Sequence, residues 1–257
     1  MQRLVIACGL VAVTGTAASA RPPFQVETDT TPGNTIGTYS YSGAGSGFGG
    51  TVGNGMISLD SDAVNLYIRM TMGGALNDLV GILIDSRSGG FTDAQMDDQA
   101  DGGRRAVSQL ANAADDAFAP GFLPDFGLVL GGFGSVLFEL TAGNTPGHLN
   151  FLSFDGNNSV PVRDFTIPLA TLGVGPSDAV DFFVFYTSDS GYMSNESIPP
   201  YDPLQNNGNP GFGDGQFGGT NGSPGVGDFN RFVIVPTPGA IVLAGIACVG
   251  ALRRRRD

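Results

Sequence analysis

Between residues 64 and 72 the side chains alternate strictly. Val64, Leu66, Ile68, Met70 and Met72 are apolar, while Asn65, Tyr67, Arg69 and Thr71 carry polar groups. A period of two places one set on each face of an extended chain, whereas a helix would mix them, so the stretch reads as a strand with one dry and one wet face. Residues 78–86 (Asp-Leu-Val-Gly-Ile-Leu-Ile-Asp-Ser) are apolar at both parities and read as a central strand. Its polar end runs into Gly89 and Gly90, a turn. Strand patterns return at residues 126–130, 135–141, 149–154, 163–167, 180–187 and 229–235. Forty-one glycines supply turns between them. The expected fold is all-β, an antiparallel two-sheet sandwich or jelly roll of about nine strands.

Three stretches interrupt that pattern. In residues 92–118, Thr92-Asp93 has the character of a helix start, and residues 104–113 have helical composition with Ala106, Val107 and Leu110 on one stripe. Residues 168–176, bounded by Pro168 and Pro176, predict a single helical turn. Residues 188–228 have no periodicity and read as a long loop. A Gly/Ser/Thr-rich lead-in with one or two short strands occupies residues 21–55, so the sandwich domain is placed at 56–235.

Both ends have a different character. Arg3, an apolar run and Ala18-Ser19-Ala20 make a signal peptide over residues 1–20, cut after Ala20. At the other end Val235, Pro236, Thr237 and Pro238 precede an uncharged apolar run to Leu252, then Arg253, Arg254, Arg255 and Arg256. A helix over residues 239–252 would measure roughly 21 Å at 1.5 Å per residue, against ~30 Å of hydrocarbon. It spans with local thinning and snorkelling arginine stems, and the arginines stay cytoplasmic. These three parts resemble the PEP-CTERM sorting signal of exported bacterial proteins, with Thr237 where the family usually has glutamate. The resemblance implies recognition by an exosortase-type processing enzyme, an inner-membrane anchor before processing, and then the envelope, surface or extracellular matrix.

Charge and cysteine usage exclude whole classes of activity. The chain has no lysine; Arg3 and the four tail arginines are five of its 12 basic residues, and Asp257 is the one tail acid of 24. The body between the ends therefore carries seven arginines against 23 acids, a surface that repels nucleic acid. Cys8 and Cys248 both lie in the terminal segments, so the body has neither a disulfide nor a thiol nucleophile. The run Gly45-Ser46-Gly47-Phe48-Gly49-Gly50 matches a dinucleotide-binding glycine pattern, but no apolar strand precedes it and no helix follows.

The strand ending Ile82-Leu83-Ile84-Asp85, the run Asp164-Phe-Thr-Ile-Pro-Leu-Ala-Thr-Leu-Gly173 and the strand Phe182-Phe-Val-Phe-Tyr186 resemble the sandwich of DOMON domains and family 9 carbohydrate-binding modules. The resemblance implies ligand binding rather than catalysis. It carries over no sugar-binding residue, because those modules lean on tryptophan and this chain has none. Nor does it carry over a haem site, since His148 is the only histidine and has no supporting motif.

Among candidate sites the densest is acidic: Asp93, Asp97, Asp98 and Asp101, with Asp115 and Asp116 behind them. Asp97 to Gly102 partly follows a calcium-loop pattern, oxygen ligands and then a turn glycine, although Ser108 occupies the twelfth position. Calcium is the candidate cation; the alternative is a solvated loop on an acidic protein. Glu139 and Glu196 are the carboxylates a glycoside hydrolase would pair, Glu139 expected on a solvent face and Glu196 in a loop. Tyr186, Tyr192 and Tyr201, with Phe212 and Phe217, either stack on sugar faces or anchor the long loop. The expectation is a non-enzymatic exported protein with a structural or interaction role at the envelope or matrix. Its alternatives are a calcium-dependent carbohydrate-binding module and, further off, a hydrolase.

Overall fold

The computed structural model describes residues 37–40, 49–91, 98–108, 121–143, 145–191, 193–199 and 229–234. Eleven strands and two short helices appear among them, in the order β1 (Gly37–Ser40), β2 (Met56–Ser61), β3 (Asn65–Thr71), β4 (Leu79–Asp85), α1 (Gly102–Ser108), β5 (Phe126–Gly131), β6 (Gly134–Glu139), β7 (Asn150–Asp155), β8 (Val162–Pro168), α2 (Leu169–Leu172), β9 (Ala179–Thr187), β10 (Met193–Ile198) and β11 (Asn230–Val233). One sheet has the order β1-β2-β3-β8; the other runs β10-β9-β4-β5-β6-β7, with β11 also on β9. Every pairing is antiparallel.

The alternation in β3 does what its sequence requires. Leu66, Ile68 and Met70 are buried between the sheets, while Asn65, Tyr67, Arg69 and Thr71 are half-buried on the other face. Val64 departs from the expectation at 63% exposed. It sits ahead of the strand in a turn whose N–H groups at Val64 and Asn65 donate to Asp62 Oδ1. An aspartate side chain readily accepts backbone N–H groups a few residues on, and this holds Val64 in the turn rather than on the strand face.

Strands β4, β5 and β9 are apolar at both parities because the larger sheet is covered on both faces. Val80, Ile82, Ile84, Phe126, Leu128, Val180, Phe182, Val184 and Tyr186 meet β2 and β3 in one inner cluster. Leu79, Leu83, Val129, Val136, Phe138, Phe183 and Phe185 form an outer cluster that Ala106 and Val107 of α1 close. Gly127 in β5 marks the contact, since a Cβ there would press on the Val107 side chain 2.9 Å away. Gly81 in β4 likewise leaves room for the Phe185 ring. Helix α1 is thus a third layer over the outer face, capped by Asp101 through the Arg104 N–H at 2.9 Å.

Helix α1 is described over Gly102–Ser108 and so begins two residues ahead of the expected 104–113; residues 109–120 lie outside the described set. The one-turn helix expected after Pro168 is α2, closed by left-handed Gly173 at φ 72°. Two strands went unrecognised. Strand β2 lies at the domain boundary, and β10 lies within residues 188–228, where Met-Ser-Asn-Glu-Ser-Ile shows no clean alternation. Pairing with β9 makes β10 a strand, an imposed structure with a register shift between Met193 and Ser197. Among the described residues no helix is long and apolar enough to cross a membrane; the signal residues Ala18 and Ala20 and the tail, with Val235, Pro236, Thr237, Pro238 and Arg253 to Arg256, lie outside them.

Candidate ligand-binding groove

Strand β7 is the last of the larger sheet, and its register against β6 has one irregularity. Phe138 opposes Phe151, Leu137 opposes Ser153 and Val136 opposes Phe154, which leaves Leu152 as an extra residue. Phe151 and Phe154 are three positions apart, so a regular strand would send them to opposite faces. The bulge removes that parity conflict. Both phenylalanines now oppose residues of the outer cluster, Phe138 and Val136, while Leu152 packs on the inner one.

The two rings are 53% and 55% exposed, and Phe133 in the β5–β6 turn is 47% exposed. Isolated exposed apolar residues need no explanation, but three phenylalanines around one depression do. With Val136, Phe138 and Leu79 they line a groove of 610 Å³ whose other wall is the start of α1 (Gly102, Gly103, Arg104). Asn77, Asp78, Asp101 and Asp189 add polar groups. Its volume lies within the few hundred to a thousand Å³ of small-molecule sites.

The groove is held from below. Arg104 lies over the Phe138 ring at 4.9 Å, and Phe138 meets Phe151 edge-on with centroids 6.5 Å apart. Arg104 also pairs with Asp101 and approaches Asp98 at 3.3 Å. Arg163, 1% exposed, reaches from β8 to donate to the Gly131 carbonyl at 3.1 Å and so fixes the turn that carries Phe133. Burial lowers its pKa, and the Asp155 charge only partly opposes this. Gly134, at φ 125°, is required at that turn, because a Cβ there would run into the Asp155 carbonyl.

The acidic loop proposed for calcium is employed otherwise where it is described. Asp98 is fully buried, and its carboxylate accepts N–H groups of Ala100 at 3.0 Å, Gly147 at 2.6 Å and Leu149 at 2.9 Å. Burial alone would raise its pKa, but these three donors together hold it below the usual carboxylate range. It fastens the α1 segment to the β6–β7 connection. Asp101 caps α1 and pairs with Arg104. Asp93 and Asp97 lie outside the described residues, among which no three His, Cys, Asp or Glu side chains form a metal-ligand set.

Glu139 and Glu196 are not brought together. They lie on β6 and β10 with β5, β4 and β9 between them, four strand spacings or roughly 19 Å apart across the sheet. A glycosidase pair needs roughly 5–9.5 Å. Glu139 accepts from Asn150 at 3.0 Å and Arg87 at 2.9 Å, and these bonds hold its pKa low. Glu196, expected in a solvated loop, is instead 2% exposed in β10. Its carboxylate receives the N–H groups of Gly50 at 2.5 Å, Val52 at 3.2 Å and Gly53 at 3.0 Å. The described end of the glycine run therefore makes an anion cradle, and the chain fills it with its own carboxylate.

Of the two readings of Tyr186, stacking on a sugar or anchoring to the sandwich, its place in β9 leaves the second. It is 2% exposed in the inner cluster, with its hydroxyl accepting the Asp78 N–H at 3.1 Å. Tyr192, Tyr201, Phe212 and Phe217 lie outside the described residues. Asp85 has a pKa pushed up to about 6 by burial, opposed by the Leu123 N–H and reinforced by Asp125 and Asp181. The groove aromatics were not singled out from the sequence, where the only available sign is Phe151 and Phe154 breaking the period of their strand. No family model, curated protein or solved structure matches the chain.

Proposed function

We propose that this is an exported, non-enzymatic binding protein, sorted by its PEP-CTERM-like tail to the envelope or extracellular matrix, which holds extracellular polysaccharide in the groove of β6, β7 and α1. The observation carrying this reading is the cluster of Phe133, Phe151 and Phe154, exposed around one depression with carboxylates in its wall. Flat apolar rings stack on the C–H faces of a sugar, and the carboxylates accept its hydroxyls. The distance between Glu139 and Glu196 supports binding rather than hydrolysis. Calcium dependence has no support from Asp98 and Asp101, whose oxygens already receive N–H donors.

Glycan-array binding by the full chain tests the reading, beside a Phe151→Ala/Phe154→Ala variant. Signal on polysaccharide that the double variant loses supports it; silence of the native chain across the array defeats it. Sorting is tested separately by deleting residues 253–256, which should prevent tail processing in a host with an exosortase-type enzyme. Unchanged processing of the truncated protein would remove the sorting half of the proposal.

A further inference from the structure

The groove is unequal in charge. Its lining holds three carboxylates, Asp78, Asp101 and Asp189, and one guanidinium, Arg104. Arg104 is already neutralised by Asp101 and Asp98. Arg105 beside the groove donates to the backbone carbonyls of Asp189 and Gln99, so its charge lies near Asp189 without a direct pair to that carboxylate. Among the described residues neither the Asp78 nor the Asp189 carboxylate has a hydrogen bond or ion pair. Two carboxylates without a direct ion pair among the described residues thus share a 610 Å³ groove with three exposed phenylalanine faces.

Such a groove disfavours anionic ligands, uronic acids and phosphorylated sugars among them. A neutral sugar would use the rings and leave the charges unanswered. A ligand with sugar-like apolar faces and ammonium groups answers both: rings stack, carboxylates pair with the amines, and a cation over an aromatic face gains further attraction. Resting on the polysaccharide reading above, we propose that the preferred occupant is an amino-sugar polymer with free, unacetylated amines, recognised by Phe133, Phe151 and Phe154 together with Asp78 and Asp189.

The test is isothermal titration of the full chain with three tetramers: β-1,4-linked glucosamine, its N-acetylated counterpart and the corresponding glucose oligomer. The glucosamine tetramer should bind at least tenfold more tightly than the other two, with an advantage that shrinks as salt is raised. Asp78→Asn/Asp189→Asn should abolish that advantage, and Phe151→Ala/Phe154→Ala should weaken all binding at least tenfold. Equal affinity for all three tetramers would overturn the amine preference and leave the polysaccharide reading standing. No binding by any of them, or to the glycans of an array, would overturn both. Binding of the glucosamine tetramer that ignores the phenylalanine changes would reduce the effect to the chain's general negative charge and would also overturn the proposal.

Discussion

Glu196 offers the sharpest perturbation. Its Oε1 takes the Gly50 N–H and its Oε2 takes those of Val52 and Gly53, at 2.5, 3.2 and 3.0 Å. In Glu196→Gln the amide has one oxygen and one NH₂ group. Whichever way it turns, the NH₂ faces at least one backbone N–H that then has no acceptor. An unmet buried donor costs about 1–3 kcal/mol. The bonds that survive lose their charge assistance and about half their strength, so the expected loss is about 2–4 kcal/mol. Glu196→Ala strands all three donors, a loss of about 3–5 kcal/mol, against a total stability of about 5–15 kcal/mol. Urea unfolding followed by circular dichroism reads this directly: with an m-value of about 2 kcal/mol/M, the glutamine variant should shift the midpoint by about 1–2 M. A control uses the same contact from the other side. A Cβ at Gly53 would collide with the Glu196 carboxylate, so Gly53→Ala should destabilise the native chain and do so much less in a Glu196→Ala background. A glutamine variant within about 0.5 kcal/mol of native, or additive effects in the double variant, would refute the reasoning.

Asp85 gives a pH signature. Its pKa of about 6 in the fold exceeds its ordinary 3.8, so between these values the folded chain holds a proton that the unfolded chain has released. Stability from this group is therefore full below pH ~4 and falls as pH rises through ~6; Asp98 and Glu139, held low, act oppositely and lose their contribution as pH falls. Asp85→Asn should raise the thermal midpoint at pH 7 and remove that slope, and parallel midpoint curves for native and variant from pH 4 to 7 would count against the assignment. Gly127→Leu should lift α1 from the outer face, because its added atoms meet the Val107 side chain; a cost of about 1–3 kcal/mol is expected, with faster proteolysis near α1, and native-like resistance would contradict the third-layer role. Calcium at millimolar concentration should leave the thermal midpoint unmoved, since the Asp98 and Asp101 oxygens are occupied by internal donors. A rise lost in Asp98→Asn/Asp101→Asn would restore the cation reading for the loop containing Asp93 and Asp97.

Much of the architecture was legible because its signals are local. Alternation in β3, the doubly apolar β4 and the one-turn α2 follow from near neighbours in the chain, and the observed elements sit where those patterns lie. The excess of acid in the body needs no coordinates at all. Strand β10 was hidden because four of its six residues are polar: it is a strand by virtue of β9 beside it and a buried carboxylate within it.

The Glu196 cradle and the groove were decided at longer range. Glu196 and Gly50 are 146 positions apart, and no pattern in either segment announces the other. A bulge at Leu152 depends on how β6 and β7 settle their registers, and it alone turns Phe151 and Phe154 to one face. Arg163 steadies the turn of Phe133 from the opposite sheet. The sequence by itself determined which apolar-patterned stretches extend and which of their faces must be dry, because hydrophobic periodicity is written in consecutive residues. Only tertiary structure decided where aromatic and acidic groups converge, because convergence depends on which distant strands become neighbours and on the polar atoms each must satisfy once water is gone.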